Sequence, residues 1–284
     1  MGAKLAVLVA SSLAAVSVLS TAGCGSGNGA VDEVVAKNAL ARGGLDAWRA
    51  VRSMTLTGNL EAGVARDPLK LAKSFQQTRD AKAAAARKAR VRQAEAAKEK
   101  PVQLPFALEL ARPRKSRLEI QFKGETAVQV YDGTHGWKLR PFLGRHEVEP
   151  FNAEELKLAS AQADLDGPLL DAEAKGSRIA LLGTEKVGGR EAYKLEVTPK
   201  SGEVRHVWVD TQTFLEAQVD GTRRMDGKAR TVLTAMRDYK SVGGLMVPHT
   251  LETTVEGVAG SEKILVQHVE VNAELADARF ARPE

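Results

Sequence analysis

Apolar residues recur at every second position along much of the chain. Met54, Leu56, Gly58 and Leu60 alternate with Thr55, Thr57 and Asn59. Leu118, Ile120 and Phe122 alternate with Glu119, Gln121 and Lys123. Val128 and Val130 follow, then the pair Asp132-Gly133, then Trp137 and Leu139. A period of two puts one set of side chains on one face of a strand. The spacing predicts half-buried antiparallel strands joined by short turns. More strands are predicted near 104–110 and at 179–182, 192–198, 204–210, 215–219, 231–239, 246–255 and 263–271. Between them, Gly188-Gly189, Lys200-Ser201-Gly202, Asp220-Gly221, Asp226-Gly227 and Gly243-Gly244 supply turn chemistry.

Two stretches change period. Val31, Val34, Val35, Leu40, Leu45 and Trp48 fall at helical spacing, with Gly43-Gly44 as a break. Residues 152–173 predict a second helical patch. Asn152 fits an N-cap, Glu155 three residues on completes a capping box, and Gly167-Pro168 splits the patch into two short helices. About eleven strands in a meander curl, because antiparallel sheets twist. The expected fold is mainly β with some helix. It is a curved antiparallel sheet forming an unclosed barrel, with helices covering the concave face.

Charge changes the picture in one window. The net charge of +5 suggests a basic protein. Residues 66–100 hold eleven Lys/Arg and four Asp/Glu, a net of +7. Removing that window and Lys4 leaves −3, so the basic character belongs to one segment and does not argue for nucleic-acid binding. Large apolar residues nearly vanish after Phe75 in that segment, while Ala83 to Ala86 favour helix. It predicts a solvated helical or disordered insertion at about 66–103. Residues 70–98 could meet anionic headgroups or an acidic protein, or be a dispensable extension of a hairpin.

Lys4 is the only charged residue before Cys24, and an apolar run from Leu5 to Leu19, broken by three serines, follows it. This is the pattern of a secretory signal. Cys24, the single cysteine, follows Ala22-Gly23, and Gly25-Ser26-Gly27-Asn28-Gly29 after it is a flexible composition. Ala22-Gly23-Cys24 resembles the bacterial lipobox, with Thr21 where leucine is commonest. The resemblance implies a signal at 1–23, lipid attachment to Cys24, a tether at 24–30 and one domain at 31–284. It also implies an anchor in the bacterial envelope, with the outer membrane, facing the periplasm, as the expected site; the chain is read as a monomer. Beyond the signal, no stretch of 18 apolar residues exists that would span a membrane.

Catalytic signals are sparse. His135, His146, His206, His249 and His268 show no metal-ligand spacing. No nucleophile elbow is present. Gly188-Gly189 and Gly243-Gly244 lack the lysine and the strand-to-helix context of phosphate loops. Asp210 fits a turn former at a strand end, and His206 and Trp208 fit packing on one face. The reading is a protein without enzymatic activity, metal or cofactor.

The ordered set of features resembles the LolA/LolB-like outer-membrane lipoprotein-sorting superfamily. It is carried by Gly43-Gly44-Leu45-Asp46-Ala47-Trp48, Tyr131-Asp132-Gly133 with Trp137, Tyr193-Lys194-Leu195-Glu196-Val197, and Val207-Trp208-Val209-Asp210 with Thr213-Phe214-Leu215. Asp238-Tyr239, Gly243-Gly244 and Val247-Pro248-His249 extend it. The resemblance implies that acyl chains of lipids or lipoproteins bind in an apolar concavity, in lipid or lipoprotein transport. Leu118, Ile120, Phe122, Val128, Val130, Trp137, Leu139, Leu195, Val197, Val207 and Val209 are the candidate lining. The competing reading uses the same fold as a structural or interaction module without a ligand, these residues simply packing against the helices.

Overall fold

The computed structural model describes residues 27–62, 102–141, 144–225, 228–258 and 260–284. Cys24, the segment before it and nearly all of the basic insertion lie outside the described residues. The first half of the sheet comprises β1 (Ser53–Ala62), β2 (Val102–Ala111), β3 (Lys115–Phe122), β4 (Glu125–Tyr131), β5 (Gly136–Arg140) and β6 (Arg145–Pro150). The second comprises β7 (Arg178–Val187), β8 (Arg190–Thr198), β9 (Arg205–Asp210), β10 (Glu216–Met225), β11 (Lys228–Val242), β12 (Leu245–Val255) and β13 (Ser261–Val271). Helices α1 (Gly27–Ala41) and α2 (Leu45–Arg49) precede β1, and α3 (Ala153–Gln162) follows β6.

All thirteen strands belong to one sheet in the order β6-β5-β4-β3-β2-β1-β13-β12-β11-β10-β9-β8-β7. Every pairing is antiparallel, and β1 with β13 joins the two meanders. The edges β6 and β7 do not pair, so the barrel stays open. The segment from α3 to residue 177 connects one edge to the other.

The sheet curls around that connection. Leu169 packs with Leu195, Val197, Val207 and Val209 of β8 and β9. Its neighbour Leu170 packs with Trp48, Met54, Leu245 and Val247, at the middle of the sheet. Adjacent residues reach both regions only if the sheet wraps round them. Both leucines are 1% exposed. The core therefore sits between the concave face and a cover made of α1, α2 and the connection. Glycine sets the fit at one joint. A Cβ on Gly43, at φ +111°, would collide with the carbonyl of Gly244 in the β11–β12 turn.

The structure corrects four expectations. The described residues form thirteen strands rather than about eleven. One unexpected strand is β6, with Val148 as its one aliphatic side chain; an edge strand bearing charges shows no period-two signal. Residues 164–176 form turns instead of a second helix. Positive φ at Gly167 and Asp171 ends helical propagation there. Asp220-Gly221 is not a turn but lies inside β10, paired with Leu233 and Val232. Asp220 satisfies its carboxylate locally by accepting from His206, at 2.7 Å to the ring Nδ1. Finally, α1 begins at Gly27, inside the stretch assigned to the tether. The Asn152–Glu155 capping box is present as expected.

Candidate ligand-binding surface

Hairpin register decides which side chains share the concave face. The turn between β3 and β4 has two residues, Lys123 and Gly124, both at positive φ. Such a turn pairs Phe122 with Glu125, so even positions of β3 face the same way as odd positions of β4. Leu118 and Ile120 lie opposite Gln129 and Ala127. They pack toward the core that includes Trp48 and Phe106. Phe122 shares their parity at the end of β3.

Four candidates fall on the other face. Val128 and Val130 lie opposite Glu119 and Arg117 in β3, and opposite Leu139 and Trp137 in β5. This corrects the expectation of one shared lining. Val128, Val130, Trp137 and Leu139 are covered by the C-terminal segment, through Leu275 and Phe280. Arg279 fixes that segment by donating to Glu109 at 2.6 and 3.0 Å, and Lys115 pairs with Asp277 at 2.7 Å. Parity counted along the chain cannot be carried through a two-residue turn unchanged.

The concave face itself divides into a filled and an open part. Leu195, Val197, Val207 and Val209 pack together on β8 and β9. They are 0–1% exposed, covered by Val31 and Val34 of α1 and by Leu169. Around the middle strands the cover is incomplete. Leu56, Leu108, Leu118, Ile120, Leu251 and Ile264 are only half-buried. Register places them side by side: Leu56 opposite Leu108, Leu108 opposite Leu118, and Leu251 opposite Ile264. They form one apolar surface across β3, β2, β1, β13 and β12. Leu56 lies in an alternation visible in the sequence; Leu108 joins it only through the pairing of β2 with β1.

The turn segment over this face is held by ion pairs that sequence reasoning missed. Arg112 donates to both carboxylate oxygens of buried Asp166, and also to the carbonyls of Val51 and Trp48. Arg42 donates to the Asp166 carbonyl at 2.8 Å and to Glu216 at 3.1 Å. Its guanidinium stacks 4.2 Å from the Trp48 ring centre. Arg49 forms a bidentate pair with Asp171, and Lys175 donates to Asp164 and to the Gly167 carbonyl. Burial pushes the Tyr239 hydroxyl far above its ordinary range, and the nearby Glu216 charge adds to it. Tyr239 therefore stays protonated and donates to Glu216. The signal was present in Asp166 and Asp171, but arginine partners more than 50 residues away gave it no local meaning.

Nothing among the histidines assembles a reaction centre. His249 is buried and contacts the Val247 carbonyl at 2.9 Å. The His206 and Trp208 rings lie 5.9 Å apart, as packing on one face predicts. Asp210 accepts from the backbone of Gln212 and Thr213, so it shapes the turn after β9. Among the described residues no group of three or more His, Cys, Asp or Glu could hold a metal ion. An open depression of about 510 Å³ lies at the β3–β4 turn, lined by Gln103, Pro105, Gln121 and Thr126 among others. These four residues have the parity of the outer face.

Comparison with known proteins bears on the fold. A protein family described as "Uncharacterized protein" matches residues 169–284. No curated protein matches the chain. The chain is similar to a solved LolA superfamily protein from Nitrosomonas europaea, at 11% identity and a TM-score of 0.52, covering 88% of this chain and 96% of that one. A DUF1329 family protein from Desulfovibrio piger gives 13% identity and a TM-score of 0.52, covering 88% and 97%. A domain from Vibrio parahaemolyticus, described as outer membrane lipoprotein-sorting, gives 12% and 0.50, covering 87% and 94%. The chain has the LolA-like fold.

Proposed function

We propose that this protein is an exported, lipid-anchored carrier that holds acyl chains of lipids or lipoproteins against its concave face. One observation carries the reading. Six large aliphatic side chains from five adjacent strands share that face and are left half-buried beneath a cover of turns. A protein core is normally filled to crystal-like density. An apolar surface left incompletely covered inside a curved sheet suits a flexible apolar ligand. The LolA-like fold and the likeness to the Vibrio lipoprotein-sorting domain support transport in the bacterial envelope. The anchor rests on Cys24 and its resemblance to a lipobox.

The filled part of the face favours the second reading, a module without a ligand. Leu195, Val197, Val207 and Val209 leave no space between sheet and helices. The two readings separate by organic extraction and mass spectrometry of the protein purified without detergent. Co-purifying acyl lipids, and saturable uptake of a fluorescent fatty acid, support the carrier. A folded protein that binds no acyl probe leaves only the structural module. Membrane fractionation tests the anchor: Cys24→Ser should leave the membrane fraction, and a membrane-bound mature chain with an unmodified thiol would rule the anchor out.

A further inference from the structure

The concave face changes chemistry over two strands. Leu118 in β3 lies opposite Gln129 in β4, and Gln129 lies opposite Lys138 in β5. Arg140 follows Lys138 on the same face of β5. Helix α3 roofs this region and leaves a cleft of about 90 Å³. Gln129, Lys138, Arg140, Glu155 and Gln162 supply its polar lining, and Phe151, Leu158 and Ala159 the rest. Two cations stand against one carboxylate in that lining. Lys138 is committed to Glu155, donating to both of its oxygens. Arg140 gives one Nη to Glu149 at 2.8 Å, but its Nε is buried without an acceptor. Arg140 therefore carries donor capacity at the cleft that Glu149 does not use. The cleft begins one strand from Leu118, and β5 lies about 10 Å from β3 at ordinary strand spacing.

We propose that this cleft is a headgroup site. It takes the anionic oxygens of an amphiphile, a phosphate or carboxylate, whose acyl chain lies on the Leu118–Ile120 surface. The Arg140 guanidinium donates to the headgroup, and the amides of Gln129 and Gln162 complete the contacts. The inference rests on the acyl-carrier reading and specifies the class of lipid carried.

The test uses the exported full chain carrying Cys24→Ser and one-chain lipids that share the same acyl group. The set is a monoacylglycerol, a lysophosphatidylcholine, a lysophosphatidylglycerol and the free fatty acid, titrated by tryptophan fluorescence. The lysophosphatidylglycerol and the fatty acid should bind roughly tenfold tighter than the monoacylglycerol, the size expected for one charge-assisted hydrogen bond. Arg140→Gln should weaken the two anionic lipids roughly tenfold and so erase that preference. Gln162→Glu, at an exposed position, should weaken only the anionic lipids and guards against misfolding of the first variant. Equal binding of all four lipids overturns the headgroup site and leaves the carrier intact. Binding of none overturns the carrier itself. Inorganic phosphate at millimolar concentration is the last arm. Binding of phosphate without any headgroup preference among the lipids would identify a free-anion site and overturn the lipid assignment.

Discussion

At the scale of the residue, facing outweighs hydrophobicity. Ile120 and Val130 are both aliphatic and ten positions apart, yet they belong to opposite faces of the sheet. Ile120→Lys should cut acyl-probe uptake several-fold, while Gln121→Glu, an exposed outward neighbour, should not. Probe titration with circular dichroism as a folding control checks this; equal effects of the two variants would remove the concave face from binding. Phe280, 2% exposed, fills the outer cluster with Val128 and Val130. Phe280→Ala should lower stability by about 3 kcal/mol and leave uptake per folded molecule unchanged. Denaturant unfolding and probe binding measure the two effects separately.

At the scale of the element, the cover over the concave face is an ionic assembly, so it should respond to acid. The Arg49 hydrogen bonds hold the Asp171 carboxyl below its usual range. Its stabilisation is complete above the unfolded value of about 3.9 and is lost as pH falls through the lower folded value. Proteolysis of residues 164–176 should therefore accelerate as pH drops below about 4. Arg49→Gln should cleave faster at neutral pH and lose much of that pH dependence. An unchanged profile in the variant would detach the cover from this pair. The joint at α1 is steric. Gly43→Ala forces a Cβ against the Gly244 carbonyl at a φ unfavourable to alanine. It should lower the melting temperature and raise the exposure of Trp48 to quenchers.

At the scale of the whole molecule, the basic insertion starts and ends at one point. Ala62 pairs with Val102, the last described residue before it and the first after it. A short turn could close the same β1–β2 ladder, and closure cost rises only slowly with loop length. Replacing residues 70–98 by a Gly-Ser linker should leave the melting temperature nearly unchanged. A fall of many degrees would show that the segment packs on the domain. Co-sedimentation with anionic and neutral vesicles, at low and high salt, tests whether it also serves a membrane surface.

Periodicity alone made the fold class legible, because alternation reports a half-buried strand without any knowledge of its partner. It revealed the meander and the helix break at Gly43-Gly44; local capping chemistry revealed the start of α3. The orientations of Leu118, Ile120, Leu195, Val197, Val207 and Val209 came from the same signal. Periodicity could not report β6, whose charges suit an edge, or the continuation of β10 through Asp220-Gly221. Tertiary structure alone decided which alternating sets meet. The Lys123-Gly124 turn sent Val128 and Val130 to the outer face, where the C-terminal segment covers them. Tertiary packing also brought Arg42, Arg49 and Arg112 to the carboxylates over the concave face, and strand pairing set Gln129 and Lys138 in line with Leu118. Alternation is a property of one strand and is written in its own residues. Register and the covering of a face belong to pairs of strands, which turn geometry and long-range packing set together.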